Sequence, residues 1–190
     1  MKKFVMAISV LIIMASNVNA ESPTDKGVYN LSGTISYSRT NSGGGTTLSV
    51  NPAFFYFVYP NLAIGATISY GYFKTDEDEL KSYGIGPVIR YYFGKEMIHP
   101  FLSLEYVYSR DEIDNTFSAG SPYVSTGHSH VWTPGLGIDY FIAKNVALEP
   151  VIRYTFDHSF SNASGFGITT SSNTRTETLF IGIGINVFIY

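Results

Sequence analysis

The central stretch of the chain reads Ser82-Tyr83-Gly84-Ile85-Gly86-Pro87-Val88-Ile89-Arg90-Tyr91-Tyr92-Phe93 and alternates between two kinds of side chain. Its odd-numbered positions are apolar or aromatic, whereas its even-numbered positions include a serine, two glycines and Arg90. Successive side chains of a β-strand point to opposite faces, so this stretch predicts a strand with one apolar and one more polar face. A water-soluble barrel buries its large apolar groups, but a barrel in lipid turns them outward around a polar interior. The pattern therefore favours a membrane-spanning β-barrel.

The first twenty residues have the features of an export signal. Lys2 and Lys3 form a basic start, residues 4–14 are apolar but too short to cross a bilayer, and Val18-Asn19-Ala20 offers small residues for cleavage. We therefore expect cleavage near Ala20. Residues 1–20 are predicted to be a signal peptide and residues 21–190 a single barrel domain.

The predicted mature chain is acidic and contains no cysteine. Loss of Lys2 and Lys3 reduces the 12 basic residues to 10 against 15 acidic ones, a formal net charge of −5. Nucleic-acid binding selects basic surfaces, so we expect no nucleic-acid partner. The lack of cysteine excludes a disulfide framework. The 15 tyrosines and 14 phenylalanines suit a sheet whose wall faces lipid.

Eight strands of membrane-crossing length are predicted after a polar lead at residues 21–26. They lie near residues 27–39, 46–58, 62–74, 82–93, 100–110, 130–142, 146–157 and 176–190. Short connections at residues 59–61, 94–99 and 143–145 alternate with longer or more polar ones at 41–45, 75–81, 111–129 and 158–175. Tight turns are periplasmic and longer loops extracellular in bacterial barrels. The predicted fold is all-β: an eight-stranded antiparallel up-and-down transmembrane barrel with a polar interior.

The predicted lipid-facing wall has two further features. Its aromatic residues cluster near both ends of the strands, as expected of rings that favour the two membrane interfaces. The loop-side group contains Tyr37, Tyr70, Tyr72, Tyr83, Tyr106, Tyr108, Trp132, Tyr154 and Phe156, and the turn-side group contains Phe54, Tyr56, Tyr91, Phe93 and Tyr140. Four prolines, Pro52, Pro87, Pro134 and Pro150, also fall on this face. Because proline has no N–H for the ladder, we expect bulges or local register adjustments there.

Two hairpins of the chain resemble each other. Residues 56–64 align without gaps with residues 140–148, an offset of 84 residues that equals four predicted strands. The repeat predicts two four-stranded halves.

The chain resembles the small outer-membrane β-barrel family, the group that includes barrels such as outer-membrane proteins A and X. The resemblance is carried by Tyr-Phe-Val-x-x-Asn-Leu-Ala-Ile-Gly at residues 56–65, by Ile89-Arg90-Tyr91-Tyr92-Phe93, and by the terminal strand. It implies eight antiparallel strands in the outer membrane of a Gram-negative-type cell, surrounded by outer-membrane lipid and lipopolysaccharide.

The resemblance also implies a terminal aromatic signal that the barrel-assembly machinery reads. Phe188 and Tyr190 are the candidates in this chain. The family's glycine lies five places before the end, whereas Gly184 lies six places before it. Parity also turns Phe188 and Tyr190 inward, because Ile181, Ile183, Ile185, Val187 and Ile189 fall on the wall.

The inward face carries a set of charges on four consecutive strands. They are Arg90, Glu105, Asp139, Glu149 and Arg153. Neighbouring strands are expected to pair these charges across the ladder. An ion path or proton relay is the functional alternative. Since about eight strands leave room for little more than side chains, we predict a salt-bridge plug.

Histidines near the loop side suggest a possible enzyme. The run His158-Ser159-Phe160-Ser161-Asn162-Ala163, with Glu177, is loosely similar to lipid A deacylase barrels, which carry His-x-Ser-Asn-Ala and a glutamate. Here two residues separate His158 from Ser161 instead of one, which puts them on opposite faces of a strand. We therefore predict no enzyme and no cofactor, with His158, Ser161 and Glu177 as the alternative catalytic set.

The remaining motifs do not specify a chemistry. Two acidic clusters, Asp76-Glu77-Asp78-Glu79 and Asp111-Glu112-x-Asp114, lack calcium-loop spacing, so no metal site is predicted. The inward residues Asn30, Ser32, Thr34 and Ser36 argue against a periplasmic lipocalin-like carrier, whose interior is apolar. The predicted function is a monomeric barrel with a structural or surface-binding role, in which loops such as residues 159–174 contact an extracellular ligand of unknown identity.

Overall fold

The alternation in the sequence is realised as eight antiparallel strands. The computed structural model describes residues 22–40, 45–75, 78–94, 97–115, 123–165 and 168–189; the predicted signal peptide and Tyr190 lie outside these ranges. The strands are β1 Tyr29–Thr40, β2 Gly45–Tyr59, β3 Leu62–Lys74, β4 Asp78–Tyr92, β5 Ile98–Asn115, β6 Tyr123–Ala143, β7 Val146–Gly165 and β8 Ile168–Ile189. They close into a barrel in chain order, which confirms the predicted fold class.

Within the part of the chain that the structure describes, no helix is long and apolar enough to cross a membrane.

The two faces of each strand have opposite environments. Ile85, Ile89 and Leu102 are exposed on the outer wall, whereas Val88 and Arg90 are buried in the lumen. We call the barrel end with the β2–β3 and β6–β7 turns the turn side, and the opposite end the loop side. In the outer-membrane barrel architecture the exposed apolar wall contacts lipid.

Strands β5 to β8 extend further on the loop side than the sequence predicted. The predicted loops at residues 111–129 and 158–175 are largely strand, and His158 lies inside β7 instead of at the start of a loop. The candidate recognition loop at residues 159–174 is therefore mostly a β7–β8 hairpin. The predicted strands were too short because their length was set by the thickness of the bilayer. That limit applies to the lipid-crossing part, and Ser/Thr-rich strands continue beyond it wherever a neighbour pairs with them.

The wall closes unevenly between the first and last strands. β1 pairs with β8 over Tyr29–Gly33 and Ile185–Ile189, and no pairing between them is described further toward the loop side. The flanking side chains are accordingly among the most exposed, with Ile35 71% and Ile183 73% accessible. The closing joint thus occupies the turn-side part of the wall.

The 84-residue repeat is also a repeat of backbone geometry. Pairing shifts between Phe57 and Tyr59 in the β2–β3 turn and between Phe141 and Ala143 in the β6–β7 turn, at equivalent positions. In each half the turn asparagine accepts a backbone hydrogen bond from a later strand: Tyr92 N to Asn61 O and Phe188 N to Asn145 O, both 2.8 Å. The two halves therefore use the same turn and the same anchoring contact.

The expected register adjustments at the wall prolines are wrong. Gly33 pairs with Pro52, Ala66 with Pro87, Leu104 with Pro134 and Pro150 with Ile183 in unshifted registers. A residue in an antiparallel ladder directs its N–H and C=O to the same neighbour, so a proline removes hydrogen bonds on one side only. In agreement, β4 has no described partner for Gly86 and Pro87 on β5, while the registers on both sides of this gap coincide.

We predict that Gly86→Ala destabilises the barrel, because an added Cβ would overlap the Tyr106 carbonyl of β5. A loss of about 1–3 kcal/mol in the free energy of unfolding, measured by urea titration in lipid vesicles, is expected from such overpacking. Gly71→Ala is the matched control, since its Cβ would lie 3.4 Å from the Ser82 Cβ, an ordinary contact. Equal losses for the two variants would contradict the close approach of β4 and β5.

Candidate functional site

The turn-side end of the lumen is filled by aromatic side chains. Phe57 and Tyr92 have ring centroids 5.4 Å apart, Tyr92 and Phe101 5.4 Å, and Phe141 and Phe188 4.9 Å. All five belong to one buried apolar cluster. The expectation of a polar interior is therefore wrong at this end. The missed signal was in β2, where Phe55 and Phe57 make the inward face as apolar as the outward one.

The polar lead covers the same end of the barrel. Thr24 is buried; its Oγ1 donates to Asn61 Oδ1 and its carbonyl accepts from Asn61 N, both at 2.9 Å. Gly27 N donates to Phe57 O at 2.9 Å, and the Val28 side chain is fully buried in the aromatic cluster. Asn61 has a positive φ of 67°, which asparagine tolerates better than most residues. The lead is thus tied to the β2–β3 turn and helps to close the lumen.

Above the aromatic cluster lies a layer of buried charge centred on Glu149. Its Oε2 lies 2.7 Å from Arg90 Nη1, and its Oε1 lies 3.3 Å from Arg153 Nη2. Asn186 Nδ2 donates to both buried carboxylates, at 2.6 Å to Glu149 Oε2 and 2.5 Å to Asp139 Oδ1. Glu149, Asp139 and Asn186 are fully buried. Arg90, Arg153, Glu149, Asn186 and Asp139 are therefore linked in one network of ion pairs and hydrogen bonds.

The buried ion pair between Arg90 and Glu149 does not join neighbouring strands, contrary to the prediction. The expected partners were on neighbouring strands, but Arg90 on β4 reaches across the lumen to Glu149 on β7. An eight-stranded ring is narrow enough for a long arginine side chain to span. Asn186 was missed by sequence reasoning, although an inward asparagine among the apolar residues of β8 was a visible signal.

Arg90 also couples the charge layer to the aromatic layer. Its guanidinium carbon lies 4.1 Å from the ring centroid of Phe101 and 4.5 Å from that of Phe55, within the range of cation–π attraction. Its Nη1 donates to Tyr92 Oη at 3.1 Å. The side chain is therefore held by a carboxylate, a phenol and two ring faces.

The loop-side half of the lumen is open space. A cavity of about 640 Å³ lies there, lined mainly by serine and threonine side chains, by the charged residues Glu105, Asp111, Arg153 and Asp157, and by apolar residues such as Val107, Val131 and Phe180. The expectation that the interior holds little more than side chains is therefore wrong for this half, because its inward residues are small. Glu105 borders this cavity, and the described contacts give it no ion pair.

The alternative catalytic residues are not brought together. His158 Nε2 bonds to Asn173 Oδ1 at 2.8 Å, and Glu177 accepts a hydrogen bond from Tyr154 Oη. Ser161 lies opposite Gly127 and Ser172 in the ladders. Parity puts it on the lumen side of β7, away from His158. The described hydrogen bonds therefore do not link a histidine base to a serine nucleophile.

The structure describes only part of the first acidic cluster. Asp76 and Glu77 lie outside the described residues, while Glu79 Oε1 is 2.8 Å from Lys81 Nζ. No three His, Cys, Asp or Glu side chains of the described residues are arranged to hold a metal ion.

Phe188, a candidate for the terminal assembly signal, is fully buried in the lumen, as parity predicted. Its role in assembly stays a prediction.

These features define an eight-stranded outer-membrane-type barrel, closed by side chains at its turn-side end and open on its loop side. No protein-family model and no curated protein sequence matches the chain.

Solved structures share the fold. OprG from Pseudomonas aeruginosa is 12% identical with a TM-score of 0.62, over 88% of this chain and 99% of that one. Outer membrane protein W of E. coli is 16% identical with a TM-score of 0.52, over 86% and 98%. Neisserial surface protein A is 20% identical with a TM-score of 0.51, over 84% and 95%. The chain is thus similar in fold to small outer-membrane barrels, as its sequence suggested.

We predict that Glu149→Gln strongly destabilises the barrel, because it leaves two arginines without their shared carboxylate. Removing one partner of a buried ion pair costs about 3–5 kcal/mol, and urea unfolding in vesicles measures the loss. Glu105→Gln is the matched control, an inward glutamate with no described ion pair, for which about 1 kcal/mol or less is expected. A loss for Glu105→Gln as large as that for Glu149→Gln would refute the central role of Glu149.

Proposed function

We propose that the protein is a non-conducting barrel of the bacterial outer membrane whose loop-side extension binds an extracellular ligand. In this proposal the chain is a monomer, exported with cleavage near Ala20 and inserted by the barrel-assembly machinery. The loop side faces outward and the turn side faces the periplasm, as in other bacterial barrels.

The observation that carries the proposal is the double closure of the turn-side end. The aromatic cluster and the Glu149 network lie in series along the lumen axis, and the lead crosses the opening below them. A hydrated ion would have to displace buried rings and then break a buried ion pair. This arrangement supports a closed barrel rather than a pore.

The long β5–β8 strands support a surface-binding role. Paired strands that continue past the lipid-crossing part present a rigid sheet at the cell surface, and ligands are commonly contacted by elements that a rigid scaffold positions. The alternative of a lipid A-modifying enzyme receives no support from the hydrogen bonds of His158 and Glu177, which go to Asn173 and Tyr154.

We predict that the refolded protein gives no steady conductance in a planar lipid bilayer. Because the two closures lie in series, a leak should require changes in both: the triple variant Phe57→Ala/Phe141→Ala/Arg90→Ala should conduct, once heat-dependent gel mobility shows that it is folded. The matched control is Phe54→Ala/Tyr140→Ala, which removes neighbouring rings from the exposed wall. A large steady conductance of the unmodified protein would overturn the proposal.

The orientation is tested separately with epitope tags. A tag placed between Gly165 and Ile168, at the tip of the β7–β8 hairpin, should bind antibody on intact cells. A tag between Ala143 and Val146, at the β6–β7 turn, should bind antibody only after the outer membrane is permeabilised. The reverse result would show that the loop side faces the periplasm.

A further inference from the structure

The outer face of β5–β8 changes from aromatic to basic over successive cross-strand rows. One row consists of Tyr106, Trp132, Phe156 and Glu177, paired in that order across the four strands. The next row toward the loop side consists of Tyr108, His130, His158 and Arg175, and the one after it of Arg110, His128, Phe160 and Asn173. We call these last two rows the basic patch.

Side-chain contacts hold the patch together. Tyr106 Oη and His130 Nδ1 are 2.7 Å apart, which ties the aromatic row to the patch above it. The His128 ring stacks on Phe160 with centroids 5.2 Å apart, and the His158 ring lies 4.5 Å from the same phenyl ring. The histidines and Phe160 therefore present a preorganised part of the surface to a ligand.

Two acidic side chains lie next to the patch. Glu112, two residues after Arg110 on the same face, is directly opposite Lys81 in the β4–β5 ladder, and Lys81 Nζ lies 2.8 Å from Glu79 Oε1. Glu177 accepts a hydrogen bond from Tyr154 Oη. The cationic groups, Arg110 and Arg175, are exposed and flank the histidines from two sides. The histidines are not arranged with other described ligands to hold a metal ion. The charge and the donors of the patch thus suit an anion.

An apolar groove continues from the aromatic row toward the turn side. It has a volume of about 700 Å³ and runs over the outer wall of β3 and β4, where Gly65 and Ala66 leave room between larger side chains. Phe54 borders the groove on one side, and Tyr106 and Trp132 border it on the other. Tyr106 and Trp132 therefore connect the groove to the basic patch.

We propose that this outer face binds a phosphate-bearing, acylated lipid of the outer leaflet. The phosphate contacts Arg110, Arg175 and the histidines of the patch, and an acyl chain lies in the groove below Tyr106 and Trp132. A site one row above an interfacial aromatic girdle is at the height of lipid headgroups, and arginine suits phosphate oxygens through its paired donors. The inference rests on the proposed function, in that the loop side must face outward.

The fluorescence of Trp132 reports binding, since Trp132 is the single tryptophan of the chain and lies between the groove and the basic patch. The full barrel is refolded in zwitterionic detergent and titrated with diphosphoryl lipid A while Trp132 emission is recorded. The same acylated disaccharide without phosphates is titrated in parallel. We expect half-saturation at a concentration at least tenfold lower for the phosphorylated lipid.

A double variant tests the patch. Arg110→Gln/Arg175→Gln should raise the half-saturating concentration of diphosphoryl lipid A at least tenfold. The matched control is Arg39→Gln/Lys74→Gln, which removes two loop-side charges from β1 and β3, and it should stay within twofold of the unmodified protein. The four substituted side chains, Arg39, Lys74, Arg110 and Arg175, are all exposed. Heat-dependent gel mobility is used to check that both variants are folded.

Three outcomes would overturn the proposal. The phosphorylated and dephosphorylated lipids could titrate alike, the control variant could lose as much affinity as the patch variant, or inorganic phosphate at the same concentrations could reproduce the Trp132 change. The last result would assign the patch to free phosphate. Because binding is measured in detergent, it succeeds or fails independently of the conductance and tag experiments.

Discussion

The structure depends on the rule that backbone polar groups cannot remain unpaired in lipid. An open sheet would leave two whole strand edges unpaired, so the first and last strands must meet, as β1 and β8 do over Tyr29–Gly33 and Ile185–Ile189. Closure then fixes the environment of each side chain, because alternate residues face either lipid or a narrow lumen. The apolar wall of Ile85, Ile89 and Leu102 and the buried position of Arg90 are two results of the same constraint.

Closure with eight strands also explains the contents of the lumen. Strands on opposite sides of so small a ring are within reach of each other's side chains, so a charge on β4 pairs with a charge on β7. Large rings at the turn side fill the available width, whereas serines and threonines at the loop side leave a cavity. Side-chain size alone thus divides one continuous lumen into a closed part and an open part.

The sequence predicts the fold well because the period-two pattern and the turn residues are local features. It predicts which residues face the lumen, including Arg90 and Glu149, but not which of them meet, since parity specifies a face and not a partner across the ring. The apolar closure was missed because residues 53–58 are apolar on both faces. The length of β5–β8 was missed because polar strands outside the membrane look like loops in a hydropathy pattern.

The ladder between β1 and β8 is much shorter than the ladders among β5–β8, and this difference affects how the barrel can move. Local opening costs more where more hydrogen bonds and packed side chains must separate, and the joint between β1 and β8 is short compared with the long β5–β8 ladders. The barrel is therefore a sheet whose first and last strands are joined by one short ladder. Its shape fluctuations should concentrate there, so the cross-section widens or narrows by movement of β1 against β8 while the opposite side keeps its curvature.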